Sequence, residues 1–280
     1  MEYEVKTTNS SPAWPVTIAL LLLFLLQACA TPERARPVVS RYADILNLYP
    51  QTGEPLQIPK LPVTANDPKL RKHDNGDVFI IVHPAYGVFV KDLSISKEKY
   101  PDVKYYLMKR QFLNEAKFVA SESLTDNIII LIVPGKYDKE STYPLSYTNY
   151  LNSMTWGSHS VYYVYSESPN SGIISTDDLI NLYRFLKEIK AKRILVGGGY
   201  IGRCQREFFN QLTAYVDTTP TYIVPEISTI SPEDISSEEA SKILNSLLSS
   251  DFGPVRSFID RKVGSYNLLP LPTADKPVFR

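Results

Sequence analysis

The chemistry of this chain concentrates where Arg193-Ile194-Leu195-Val196 runs into Gly197-Gly198-Gly199-Tyr200-Ile201-Gly202-Arg203-Cys204. A short apolar run breaks into glycines and then into a helical pattern, which reads as a strand, a tight turn and a helix start. Glycine lets a backbone take positive φ and approach a neighbour closely, and the free N–H groups of a first helical turn attract anions. Gly198, Gly199, Gly202 and Arg203 are therefore candidate anion-binding residues. Cys204, at the head of the helix, is a candidate reactive thiol, because that position favours the thiolate.

Other chemistry-bearing residues follow other apolar runs. His83 follows residues 78–82, Lys136 and Asp138 follow 128–133, Glu167 follows 161–165, and Glu226 follows 222–224. If these runs are parallel strands, the groups gather at one edge of one sheet. His83 is one of three histidines and the natural acid–base candidate among them.

The elements that must position these residues are legible as alternation. The runs 78–82, 128–133, 161–165, 194–196 and 222–224 are nearly continuous in β-favouring apolar residues, as strands buried on both faces are. Between them lie amphipathic patterns. Residues 101–121 open with Pro101 and space Tyr105, Met108, Phe112, Ala116 and Val119 along one stripe. Residues 175–190 open with a capping Ser or Thr, carry Asp177 and Asp178 in the first turn, and bury Leu179, Leu182, Leu186 and Ile189. Residues 203–216 and 237–248 complete the order, the last behind a capping-box pattern at Ser236 to Glu239. Strand–helix alternation predicts a doubly wound, Rossmann-like α/β/α domain with a mainly parallel sheet of five or six strands. Its crevice should open at the carboxyl ends of the strands.

The ends of the chain read differently. Residues 16–26 form an apolar run too short to span a bilayer comfortably, and it closes on Leu26-Gln27-Ala28-Cys29, which resembles the signal peptide and lipobox of bacterial lipoproteins. The resemblance implies cleavage after residue 28, lipid attachment at Cys29, and export to the cell envelope. Ala30 after the lipidated cysteine points to the outer membrane, with the body facing the periplasm or the exterior. A plain anchor helix from about residue 13 is the alternative. Residues 30–75 hold seven of the prolines and read as a tether, 76–250 as the α/β domain, and 251–280 as a C-terminal tail. With Cys29 lipidated, Cys204 is left without a disulfide partner. Thirty basic residues balance thirty acidic ones, so no bulk field draws the chain to nucleic acid. The nineteen tyrosines suit either loop edges or a recognition surface.

Two family resemblances compete at the glycines. VGGGYIG is similar to the nucleotide-binding turn of pyridine-nucleotide disulfide oxidoreductases, which would imply a dinucleotide. It covers about seven residues, and the turn follows the fourth strand rather than the first. The second resemblance spans about residues 77–248. The opening strand with His83-Pro84-Ala85-Tyr86-Gly87-Val88-Phe89, the Ser171-Gly172-Ile173-Ile174-Ser175-Thr176 stretch before a helix, and the strand, glycine turn and Cys204 resemble isochorismatase-like cysteine hydrolases. That resemblance implies a nucleophile at Cys204. It also shows departures: His83 stands where the family has an aspartate and Glu167 where it has a lysine. The zinc-binding histidines of the nicotinamidase branch are missing after Val133, so neither metal nor other cofactor is expected.

Two readings follow. The leading one is a non-catalytic or strongly divergent envelope module that binds a small molecule or another envelope protein. The rival is thiol-dependent hydrolysis of an amide or ester, with Cys204 as nucleophile, His83 as base and Glu167 orienting the imidazole.

Overall fold

The apolar runs form the strands they predict, with one strand added. In the computed structural model, which describes residues 56–62, 76–85, 102–119, 128–135, 145–153, 160–168, 170–216, 218–263 and 268, the order is β1 (Asp77–Val82), α1 (Asp102–Val119), β2 (Ile128–Val133), α2 (Leu145–Ser153), β3 (Ser160–Ser168), β4 (Ser171–Ile174), α3 (Thr176–Glu188), β5 (Arg193–Gly198), α4 (Cys204–Tyr215), β6 (Thr221–Ile223), α5 (Ser237–Leu248) and α6 (Gly253–Val263). The six strands make one sheet in the order β4-β3-β2-β1-β5-β6. Every pairing is parallel except β3 with β4. Fold class and sheet type agree with the sequence. The residues carrying the expected leader, Cys29 and most of the tether lie outside the described residues.

The sheet is buried on both faces. Ile80 and Ile81, adjacent on β1, are both fully inaccessible, as are Ile130, Leu131 and Ile132 on β2. Because neighbours on a strand point to opposite faces, this requires cover on each side. Right-handed crossovers put α1 and α2 on one face and α3 and α4 on the other. On its buried side α3 presents Leu179, Leu182, Phe185 and Leu186, and the Ser175 hydroxyl caps it by accepting from the Asp178 N–H at 3.2 Å. Ser236 caps α5 in the same way through Glu239 N–H at 3.1 Å. Each such cap contributes about 1 kcal/mol.

Three elements are absent from the sequence reading. Strand β4 has four residues and is held largely by α4. Glu207 accepts from the Ser171 hydroxyl at 2.7 Å and from Gly172 N–H at 3.0 Å, and Gln211 bonds both backbone groups of Ile174. Helix α6 begins at Gly253-Pro254 inside the expected tail and is tied inward by the partly buried Arg256–Glu226 pair at 3.2 Å. Helix α2 is short and tyrosine-rich, and its Tyr147 hydroxyl donates to Pro84 O at 2.8 Å. In each case tertiary contacts override weak local preference.

Two outlying segments lie along the sheet. Leu61 N–H donates to Tyr163 O at 2.9 Å and Tyr163 N–H to Pro59 O at 3.0 Å, so residues 59–61 run parallel beside β3. Leu268 pairs with Ile223 of β6 in the same sense.

Candidate functional site

Strands β1 and β5 are hydrogen-bonded neighbours, with Val82 opposite Gly198, and their connections leave toward opposite faces. This is the topological switch point, where open α/β sheets form their ligand crevice. His83 is the first residue past β1 and Gly199 the first past β5.

The backbone at the end of β1 is strained. His83 has φ 46° and Ala85 φ 53°, a left-handed conformation that costs non-glycine residues roughly 1–2 kcal/mol each. His83 is pinned there by its N–H to Ile132 O at 2.8 Å. Its ring is buried, with Nε2 2.9 Å from the Ser166 hydroxyl. That hydroxyl donates to Ser168 O at 2.8 Å. It has one proton to give, so it accepts from His83, and the ring is fixed as the Nε2–H tautomer with Nδ1 as its basic atom. Burial pushes the His83 pKa down to about 3, so the imidazole is neutral.

Cys204 heads α4 as expected, and its Sγ accepts from Tyr200 N–H at 3.4 Å. Gly199 separates the thiol from β1: a Cβ there would lie 3.0 Å from Sγ and 3.2 Å from Val82 O. The thiol thus sits beside the end of β1, one residue short of His83. Three opposing influences act on it. Backbone N–H groups favour the thiolate, while burial and the Glu207 charge disfavour it, and burial is the largest. The Cys204 pKa is pushed up to about 11, which keeps a neutral thiol at physiological pH.

The other expected site residues are deployed elsewhere. Glu167 is exposed, and the ring's partner is its buried neighbour Ser166. Arg203 is occupied by acids: its Nε donates to Asp234 at 2.9 Å and its terminal nitrogen to Glu233 at 3.0 Å, pairs that raise its pKa further. Gly198 takes φ 70°, and a Cβ there would meet Val82 O at 2.5 Å, so its smallness serves the approach of two strands. Gly202 has φ 81° and completes the turn into α4. Cys29 lies outside the described residues, as do Lys136 and Asp138. Among the described residues no group of three His, Cys, Asp or Glu side chains is disposed to hold a metal ion. No described helix is long and apolar enough to cross a membrane.

Sequence reasoning missed four buried polar residues beside the segments that follow the strands. Besides Ser166 these are Gln205, Gln111 and Glu115, all nearly inaccessible. Gln205 donates to Gly198 O and to the Ser228 hydroxyl, each at 2.8 Å. Gln111 and Glu115 replace apolar residues on the buried face of α1, three and seven positions after Met108, and that interruption is the signal that could have found them. Gln111 accepts from Ile230 N–H at 3.0 Å. The Glu115 carboxyl faces the Ala85 amide, and burial pushes its pKa up to about 8.

No family model matches the chain and no curated protein matches it. Among solved structures, it is similar to an isochorismatase-like hydrolase from Alkaliphilus metalliredigens, at 14% identity and a TM-score of 0.34, over 66% of this chain and 98% of the other.

Proposed function

We propose that the α/β domain is a binding module for a small polar molecule, taken in the crevice between the carboxyl ends of β1 and β5. We further propose that the module belongs to an exported envelope protein anchored by lipid at Cys29. The observation that supports binding is the accumulation, at one switch point, of left-handed non-glycine residues and buried polar groups without partners. Strained backbone and orphaned buried groups both lower stability, and such features cluster at functional sites. The hydrolase reading lacks its third member, since Glu167 is exposed and the imidazole is bonded to Ser166. It is favoured only by the closeness of the thiol to the end of β1.

Alkylation separates the two readings. The full chain is treated with iodoacetamide over a pH series, and the Cys204 peptide is followed by mass spectrometry beside the His83→Ala variant. A binding module gives slow labelling below about pH 8, where an ordinary thiol is protonated, and no dependence on His83. Fast labelling that collapses in His83→Ala would establish thiol chemistry instead. The mass of the mature N-terminal peptide tests the anchor: an acylated Cys29 peptide is expected, and an unmodified one rejects it.

A further inference from the structure

The hydrolase reading gives Glu115 no role, yet it is among the least accessible polar side chains, at 1% exposure. No side chain pairs with either of its carboxyl oxygens, which face only the backbone amide of Ala85, and Nε2 of Gln111 has no hydrogen-bond partner. The two lie one turn apart on the same face of α1. Gln111 cannot be turned over to relieve this, because its oxygen is needed by Ile230 N–H. A buried polar group left unpaired costs about 1–3 kcal/mol, so a leucine or methionine at position 115 would serve the core better than this carboxyl.

Position gives the carboxyl a use. Glu115 faces the amide of Ala85, two residues past His83. Gln111 holds Ile230, in the segment whose Thr229 exchanges backbone bonds with Gly199 and Ile201. The pair therefore connects α1 to the segment after β1 and, through Ile230 and Thr229, to the turn after β5. Charge narrows the ligand. Among the described residues no basic group pairs with Glu115. Arg203 is engaged by Asp234 and Glu233, and Arg256 by Glu226. An anionic ligand would meet the Glu115 carboxyl.

We infer that Glu115 and Gln111 are a recognition site for a small organic cation bearing N–H donors, a primary ammonium or guanidinium group, with Glu115 as its counter-ion. The inference rests on the binding-module reading above and specifies what that module binds. Such a group would donate to both carboxyl oxygens and turn a desolvated acid into a paired one, the only inexpensive way to keep that charge buried.

Dicyclohexylcarbodiimide, which attacks buried protonated carboxyls, tests this on the full chain. Methylguanidinium and methylammonium serve as probes, acetamide and acetate as controls. The Glu115 peptide is expected to acquire the adduct, and both cations to slow the reaction while neither control does. Calorimetric binding of methylguanidinium should weaken about tenfold or more in Glu115→Gln, which keeps the size and neutrality of the protonated side chain. An adduct that forms at the same rate with or without the cations overturns the inference, as does equal protection by acetamide. Cys204 alkylation in the same samples keeps the failures apart. His83-dependent labelling defeats the binding reading itself, whereas slow labelling with an indifferent Glu115 defeats only the cation.

Discussion

His83 Nε2 lies 2.9 Å from the hydroxyl of Ser166, a residue 83 positions later in the chain. The bond joins the ends of β1 and β3 across β2 and decides which imidazole nitrogen carries the proton. Ser166→Ala removes the acceptor and leaves a buried N–H unpaired, so stability should fall by roughly 1–3 kcal/mol in urea titration. Nitrogen NMR of the imidazole should report protonated Nε2 in the parent chain and a changed tautomer balance in the variant.

The acid side of the stability profile belongs to His83. Its folded pKa, about 3, lies below its ordinary value, so the unfolded chain binds the proton more readily. The contribution is complete above about pH 6.5 and is lost as pH falls toward 3. His83→Gln should flatten urea midpoints across that window.

Glu115 acts in the opposite direction. Its folded pKa, about 8, lies above the ordinary carboxyl value of 4.5, so the folded chain holds the proton more tightly, and stability declines as pH rises from 4.5 through 8. The shift corresponds to a few kcal/mol. Glu115→Gln should abolish most of that decline and be the more stable chain at pH 8, as read by thermal midpoints across pH.

The backbone at the two strand ends gives paired substitutions of opposite sign. Ala85→Gly relieves a left-handed alanine at φ 53° and should stabilise the fold by roughly 0.5–1 kcal/mol after the added freedom of the unfolded chain is deducted. Gly198→Ala places a Cβ 2.5 Å from Val82 O at positive φ and should destabilise by roughly 2–4 kcal/mol. Denaturant midpoints compare all three chains directly.

Much of this architecture is legible in the amino-acid sequence. Continuous apolar runs such as 128–133 can be satisfied only by strands covered on both sides, which fixes the parallel α/β class and, with it, the edge where His83 and Cys204 stand. What sequence could not supply was the pairing of side chains within that edge. Glu167 and Ser166 are adjacent and equally plausible as partners of an imidazole, and only the path of β3 at its junction with β4 decides which one is buried. Gln111 and Glu115 were hidden by a stripe that looked adequate without them. Strand β4 is hard to read in the sequence because Glu207 and Gln211, more than thirty residues later, supply bonds to its backbone.

The short segments beside β3 and β6 have a consequence for how the molecule behaves in company. Each supplies backbone partners along the outward side of a strand that would otherwise offer unpaired N–H and C=O groups to any passing extended chain. Residues 59–61 do this for Tyr163, and Leu268 does it for Ile223. The stretches on either side of the α/β alternation thus act as selvedges, and a chain trimmed to the alternation alone would keep its fold-defining strands while gaining two adhesive borders. Self-association of such a trimmed chain would report lost edges, not a native oligomer.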